Sequence, residues 1–248
     1  MNLVLDIGNT RVKAGLFEEN RLVEQANWVD WTLEELSSYG NQAGADGVIF
    51  SSVAGYDPDT HRRLAETFAM VLELTHETPL PFQNTYRTPE TLGKDRLAAV
   101  AGAQALFPGQ HCLVVDCGTC IKYDLLTADG VYHGGNIAPG AAMRIRAMHV
   151  FTARLPEVPL RMPENATGFS TETALQNGAL RGAVYEIEGF VRQFEQNAHP
   201  LRVVLTGGDA VFFQPHLSVP GLTHEPHLTL FGLNYILQFN KNRATIQP

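Results

Sequence analysis

The chain has 248 residues, of which 44% are hydrophobic and 18% charged, a balance typical of a globular protein that can bury a full core. Its formal net charge is −8, so nucleic acids and anionic membrane surfaces would be repelled, and neither is expected as a partner. An anionic small molecule can still bind where backbone N–H groups and a metal ion are arranged locally.

The sequence also bears on location. No apolar run approaches the ~20 residues that cross a bilayer. The first residues carry no basic stretch, which predicts neither a secretory signal nor a transit peptide. The three cysteines, Cys112, Cys117 and Cys120, cannot all pair with one another, and we expect reduced thiols in a cytoplasmic protein.

The first half of the chain alternates extended and helical patterns. In chain order it predicts two strands joined by a tight turn over residues 2–17, a helix opened by a capping box of Thr32 and Glu35, a strand over 47–53, a helix over 61–70 capped by Asp57 and Pro58, a strand over 71–74, a loop over 76–92, and an alanine-rich helix over 97–106.

The pattern then restarts. Residues 112–119 repeat residues 2–9 at an offset of 110, with Leu, Val, Asp and Gly identical at matched positions. Helices are predicted near 140–150, 171–196 and 228–240, and a strand over 202–205 runs into Thr206-Gly207-Gly208-Asp209. The duplication predicts two similar α/β lobes, residues 1–110 and 111–248, with a ligand site in the cleft between them.

Chemistry is indicated first at the turn of residues 6–13. Its glycine and small polar residues allow backbone N–H groups to approach phosphate oxygens. Asp6 ends a strand and can hold Mg²⁺ directly or through water, and Lys13 can neutralise a phosphate. The alternative at this stage is an ordinary hairpin, since Gly-Asn turns are common.

The second copy of the turn strengthens the phosphate interpretation. Asp116 offers a second carboxylate for a cation, and Thr119 offers a hydroxyl and an N–H. Gly207 and Gly208 supply a third turn whose backbone can lie flat against an adenine or a ribose. Two such turns and a third glycine pair predict a triphosphate site.

These motifs resemble the actin/hexokinase/Hsp70 superfamily, whose duplicated RNase-H-like lobes bind ATP between them. The closer resemblance is to type III pantothenate kinases, and it spans most of the chain. It is carried by these motifs in order: Asp6-Ile7-Gly8-Asn9-Thr10-Arg11-Val12-Lys13, Gly93-Lys94-Asp95-Arg96, Asp116-Cys117-Gly118-Thr119 with Asp124, Gly134-Gly135-Asn136-Ile137-Ala138-Pro139-Gly140, and Thr206-Gly207-Gly208.

The resemblance implies roles for individual residues. Asp95 would be the catalytic base that takes a proton from the primary alcohol of pantothenate. Pantothenate would be bound by Tyr86, Gly93, Lys94, Asp95, Arg96 and Thr171. ATP would be bound by Asp6, Ile7, Gly8, Asn9, Thr10, Arg11, Val12, Lys13, Thr119, Gly207 and Gly208. From the residues alone, the alternatives are a capping Asp95 beside a solvated Arg96, a partly buried loop Tyr86, and Thr171 as a helix N-cap.

The family also implies cations and an assembly. Mg²⁺ would accompany ATP, with Asp6 binding it via water, and a monovalent cation, K⁺ or NH₄⁺, would bind at Asp116. The family usually has Ala and Thr where this chain has Cys120 and Lys122. The ammonium of Lys122, if it points inward, would replace part of the monovalent cation; strand alternation alone predicts an outward, solvated Lys122. A homodimer is expected from the resemblance, and Gly178 and Gly182 lie four apart on one helix face.

Other functions are less well supported by the motifs. Cys117 and Cys120 lack the ligand pair that zinc needs, and they lie at a strand turn rather than at a redox helix start. A non-catalytic regulator like the Bvg accessory factors of the same family has no need of a base at Asp95. Another superfamily member, such as a sugar kinase or a polyphosphate hydrolase, would not carry the Gly-x-Asp-Arg element.

Overall fold

A computed structural model describes residues 1–8, 11–52 and 59–246. The strands, in chain order, are β1 (Asn2–Ile7), β2 (Val12–Glu18), β3 (Arg21–Trp28), β4 (Gly47–Ser52), β5 (Met70–Glu73), β6 (Gln83–Asn84), β7 (His111–Cys117), β8 (Cys120–Leu126), β9 (Val131–Pro139), β10 (Leu201–Thr206) and β11 (Thr223–His224). The helices are α1 (Leu33–Gln42), α2 (Thr60–Ala65), α3 (Lys94–Leu106), α4 (Ala141–Val150), α5 (Thr171–Gln176), α6 (Gly182–Glu195), α7 (Ala210–Phe213) and α8 (Leu228–Ile246).

Contacts divide the chain into two units. The first contains Met1–Gly109, Ala128–His133 and His227–Pro248, and the second contains Gln110–Thr127 and Gly134–Pro226. The units differ from the predicted domains, 1–110 and 111–248, in the placement of the segments at 128–133 and 227–248. A sequence repeat marks where a copy begins, but it does not tell which helix returns to pack on the first copy.

The sheet of the first unit has the strand order β3-β2-β1-β4-β5. β1 is antiparallel to β2 and parallel to β4, and β4 is parallel to β5. The odd-numbered residues of β1, Leu3, Leu5 and Ile7, are buried in a core with Leu36 of α1 and Leu64 of α2. On the other face, the Asn2 side chain donates a hydrogen bond to Asn234 of α8 at 2.8 Å. The sheet therefore lies between α1 and α2 on one side and α8 on the other.

The second unit repeats this arrangement. The second sheet has six strands in the order β6-β9-β8-β7-β10-β11, with β7 antiparallel to β8 and parallel to β10, and β10 parallel to β11. The short strand β6 is added parallel to β9 at one edge. Without β6, strands β7 to β11 repeat the order of β1 to β5, which is third, second, first, fourth, fifth. The predicted fold class, α/β with two duplicated RNase-H-like lobes, is confirmed.

Most predicted elements are present, and several differ. The capping box at Thr32 forms as predicted, with Glu35 N donating to Thr32 Oγ1 at 3.2 Å and Thr32 N donating to Glu35 Oε2 at 2.8 Å. The helix predicted over 61–70 is wrong beyond Ala65, because Met70 already begins β5. Residues 76–92 contain β6 and a short 3₁₀ turn, Pro89–Thr91. Val53, Asp57 and Pro58 lie outside the described residues.

Three predicted helices also differ in their bounds. The helix predicted over 228–240 extends to Ile246, and the one predicted over 171–196 is divided into α5 and α6. The remaining difference concerns α3. The predicted helix over 97–106 begins at Lys94, so Asp95 lies in its first turn and Gly93 is the N-cap. In the described part of the chain, no helix is both long and apolar enough to cross a membrane.

Candidate active site

The phosphate turn of the first unit connects β1 to β2. Gly8 N donates to Arg11 O at 3.0 Å, which closes the turn, and Asn9 and Thr10 lie outside the described residues. Asp6 is paired across the strands with Lys13. The predicted ATP contacts Ile7 and Val12 have buried side chains, so only their backbone groups face a ligand at this turn.

Ser51 is a site residue that sequence reasoning missed. It is the next-to-last residue of β4, lies beside Asp6 in the parallel register, and its hydroxyl donates to Asp6 Oδ1 at 2.9 Å. Only 1% of Ser51 is exposed, so this hydrogen bond fixes one oxygen of the Asp6 carboxylate. The available signal was a Ser-Ser pair at the end of an apolar strand, because the carboxyl ends of parallel strands meet at the edge where ligands bind.

The Gly-Lys-Asp-Arg motif forms the start of α3. Asp95 is partly exposed, and its Oδ1 accepts from Arg96 N at 2.9 Å. A Cβ at Gly93 would lie within 3.0 Å of that carboxylate oxygen, so a larger residue there would displace the Asp95 side chain. Lys94 forms an ion pair of 3.3 Å with Glu73 at the end of β5. Asp95 is thus held in the first turn at the N-terminus of α3.

Arg96 does not extend into solvent, so the alternative of a solvated arginine is wrong. It is 4% exposed, and its guanidinium lies 5.4 Å from the centre of the Tyr86 ring. Tyr86 in turn is stacked on Tyr132 at 6.4 Å with an angle of 11° between the rings. The predicted substrate residues Tyr86, Asp95 and Arg96 are therefore neighbours, since Arg96 contacts both of the others.

Three motifs distant in sequence meet in the second unit, at the turn between β7 and β8. Gly140 N donates to Thr119 O at 3.0 Å, and Asp209 N donates to Cys117 O at 2.9 Å. A Cβ at Gly140 would lie within 3.0 Å of Gly118 O, and one at Gly207 would lie within 3.0 Å of Cys117 O. We call residues 116–119, 140 and 206–209 the turn cluster; its exposed members Thr119 and Gly208 are available to a ligand.

Lys122 points toward the turn cluster, contrary to the prediction of an outward side chain. Its ammonium lies 2.6 Å from Asp116 Oδ2, and the two side chains are 16% and 15% exposed. The two residues are directly opposed in the antiparallel register of β7 and β8, so their side chains lie on the same face. Strand alternation alone does not give this result, because the face depends on the register with the neighbouring strand.

Burial controls protonation in the turn cluster. It raises the pKa of the Cys117 thiol well above its usual range, and the negative charges of Asp116 and Asp209 raise it further. Burial also raises the pKa of the Asp209 carboxyl. A thiol in this state is a poor metal ligand and a poor nucleophile, which argues against zinc and redox roles for Cys117.

Thr171 is the first residue of α5 and is exposed, but it is not the N-cap, so that alternative is wrong. The N-cap is Ser170, whose hydroxyl accepts from Thr173 N at 3.2 Å. A contact between Thr171 and substrate stays a prediction.

Known proteins resemble this chain along nearly its whole length. The family model described as type III pantothenate kinase matches residues 2–193. A type III pantothenate kinase of Phocaeicola vulgatus is 41% identical over 97% of this chain and 99% of its own length. One of Bacteroides fragilis is 42% identical over 98% of this chain and all of its own. The chain belongs to the type III pantothenate kinase family.

Solved structures share the fold of this chain. A Campylobacter jejuni protein described as a Baf family transcriptional activator has a TM-score of 0.63 at 19% identity, covering 97% of this chain and 99% of its own. The ROK hexokinase of Thermus thermophilus has a TM-score of 0.51 at 15% identity, covering 96% and 99%. At these sequence identities, the two structural similarities indicate a common fold and nothing about function.

Proposed function

We propose that this chain transfers the γ-phosphate of ATP to the primary hydroxyl of pantothenate, giving ADP and 4′-phosphopantothenate in the first step of coenzyme A biosynthesis, and that it acts in the cytoplasm. The observation that carries the proposal is Asp95, a partly exposed carboxylate in the first turn of α3, in a chain that matches the family along residues 2–193. A protein that only bound these ligands would need no base at this position.

The residues that act on the pantothenate hydroxyl lie at the start of α3. Asp95 accepts the proton of the pantothenate hydroxyl as its oxygen forms a bond to the γ-phosphorus. The bond from that phosphorus to the β–γ bridging oxygen breaks, and ADP leaves with the electron pair. The hydrogen bond from Arg96 N holds Asp95 Oδ1, and Tyr86 over the Arg96 guanidinium supplies an ordered wall for the substrate. Such positioning accounts for much of the rate enhancement in phosphoryl transfer.

The groups that bind the phosphates of ATP lie in the glycine-containing turns. Backbone N–H groups of residues 7–13 and of Thr119 would bind phosphate oxygens, with Lys13 as a point charge, and Gly207 and Gly208 would lie against the nucleoside. The Asp6 carboxylate, oriented by Ser51, is the kind of hard oxygen ligand that Mg²⁺ prefers. When bound, Mg²⁺ would neutralise the charge that develops on the phosphates.

A coupled ADP-release assay tests the function. Purified protein with ATP and Mg²⁺ is expected to release ADP when pantothenate is added. It should release none when a sugar or another alcohol is added instead. Mass spectrometry of the product should show one added phosphate. Turnover with a sugar instead would favour another kinase of the superfamily, and no turnover with any acceptor would favour a non-catalytic regulator.

We further propose that the second unit binds a second copy of this chain. Exposed apolar side chains lie on and just after α4, namely Met143, Val150 and Phe151, which is 85% exposed. The chain from Asn177 into α6 has an open face: a Cβ at Gly178 would meet nothing within 4 Å, and Tyr185, seven residues on, is 57% exposed. Clustered exposed apolar groups of this kind are typical of protein interfaces.

Light scattering after size exclusion is expected to give twice the mass of one chain. Introducing a buried charge into an apolar interface is costly, so Tyr185→Asp is expected to shift the mass toward that of one chain. Val211→Asp is a matched control, because Val211 is 68% exposed on α7 and lies outside the proposed interface. A single-chain mass for the unmodified protein would contradict the dimer.

A further inference from the structure

The two hairpins of the duplicated fold carry the same acid–base pair. Asp6 faces Lys13 across β1 and β2, and Asp116 faces Lys122 across β7 and β8. Lys122 follows Lys13 by 109 residues, one fewer than the 110 that separate the aspartates, because the second turn is one residue shorter. Lys122 is thus the register equivalent of Lys13, and both units place an ammonium group opposite the strand-ending carboxylate.

The second pair is tightly enclosed. Lys122 Nζ lies 2.6 Å from Asp116 Oδ2, a direct ion pair that leaves no space for another ion between the two groups, and each side chain is about one-sixth exposed. The other carboxylate oxygen faces Gly207, where φ is +94° and any Cβ would lie within 3.0 Å of Asp116 Oδ1. The carboxylate is therefore held between an ammonium group on one oxygen and a glycine backbone on the other.

This geometry does not fit a mobile monovalent cation at Asp116. A cation bound to Oδ2 would occupy the space of the Lys122 ammonium and would be repelled by it. Within residues 1–8, 11–52 and 59–246, no three or more His, Cys, Asp and Glu side chains are grouped so that they could hold a metal ion.

We propose that the ammonium of Lys122 is a built-in cation that takes the place of the potassium or ammonium ion expected at Asp116 by family resemblance. The inference rests on the proposed kinase function. It gives Lys122 a positioning role: its fixed charge compensates Asp116 and keeps the turn cluster in one arrangement without an ion from solution. The enzyme should accordingly work in the absence of potassium.

The test compares potassium chloride with tetramethylammonium chloride at matched ionic strength, so that screening is equal. The unmodified protein is expected to phosphorylate pantothenate at rates within about twofold in the two salts, because the cation beside Asp116 is the side chain of Lys122. Lys122→Thr restores the residue usual in the family and removes the ammonium. This variant is expected to be about tenfold or more slower without potassium and to recover when potassium is added.

Thermal unfolding gives a second readout that does not depend on turnover. Potassium is expected to raise the Tm of Lys122→Thr in a concentration-dependent manner, because an ion that binds only the folded state stabilises it, and to leave the Tm of the unmodified protein unchanged. Lys241→Thr is the control: this lysine is also ion-paired, at 3.0 Å from Asp46, and its loss should create no potassium dependence.

The outcomes separate this inference from the kinase proposal. An unmodified protein that phosphorylates pantothenate only with potassium overturns the built-in cation and leaves the kinase intact. Absence of turnover in both salts counts against the kinase, and a potassium-dependent Tm of the unmodified protein would then overturn the inference separately. A folded Lys122→Thr that is indifferent to potassium in both readouts also overturns it. The comparison on the unmodified protein decides the matter even if the variant does not fold.

Discussion

Replacing Asp95 by Asn is expected to lower kcat for pantothenate by a factor of about 10²–10⁴, the usual contribution of a general base. Asn has the same size and keeps an oxygen to accept the hydrogen bond from Arg96 N, which is 2.9 Å from Asp95 Oδ1. The fold and the affinity for ATP should therefore be unchanged. Steady-state kinetics gives the rate, and calorimetric titration with a non-hydrolysable ATP analogue gives the affinity.

The matched control for this change is Asp30→Asn, which neutralises an exposed carboxylate of the first unit outside the proposed site. It should retain full turnover. Near-normal kcat in Asp95→Asn would remove Asp95 from its proposed role, whereas a loss of ATP affinity would show that the residue supports the nucleotide site instead.

Replacing Gly207 by Ala is expected to destabilise the second unit by roughly 3 kcal/mol or more, the range of severe point mutations. Gly207 has a φ of +94°, which costs a residue with a Cβ about 1–2 kcal/mol. The new methyl group would also lie within 3.0 Å of both Cys117 O and Asp116 Oδ1. Urea unfolding should show a lower midpoint, and turnover should fall because the turn cluster must rearrange.

Gly208→Ala separates the effect of the site from the effect of any added methyl group. A Cβ at Gly208 would meet nothing within 4 Å, so the midpoint of urea unfolding should stay close to that of the unmodified protein. If both glycine variants unfold at the same urea concentration, close packing at Gly207 is not what holds the turn cluster together.

The sequence predicted local features well because they depend on near neighbours. The repeated strand ending in Asp-x-Gly predicted both hairpins, because an apolar run followed by small turn residues is typical of a strand that ends in a tight turn. The capping box at Thr32 likewise depends on two residues three apart, and both of its hydrogen bonds form. The candidate functional carboxylates Asp6, Asp95 and Asp116 could be predicted for the same reason, since each belongs to a short local motif.

What the sequence did not predict depends on register and on packing between distant segments. The side chain of Lys122 points to Asp116 because of the cross-strand pairing, which requires the exact length of the turn. Ser51 reaches Asp6 only because two parallel strands are aligned over a separation of 45 residues. The buried guanidinium of Arg96 lies against the ring of Tyr86, ten residues earlier in the chain. None of these contacts leaves a periodic signal in the chain.

The packing of α8 has a consequence for the order of events during protein synthesis. The first unit takes its residues from both ends of the described chain, and Gly102 and Gly232 allow the backbones of α3 and α8 to approach closely, since a Cβ at either position would lie within 3.0 Å of the other helix. Domains generally fold as they leave the ribosome, the earliest segment first. Here the core of the first unit, which carries Asp6 and Asp95, is completed only when residues 228–246 have been synthesised. The second unit is therefore expected to fold before the first. A nascent chain stalled before α8 would have an incompletely folded first unit.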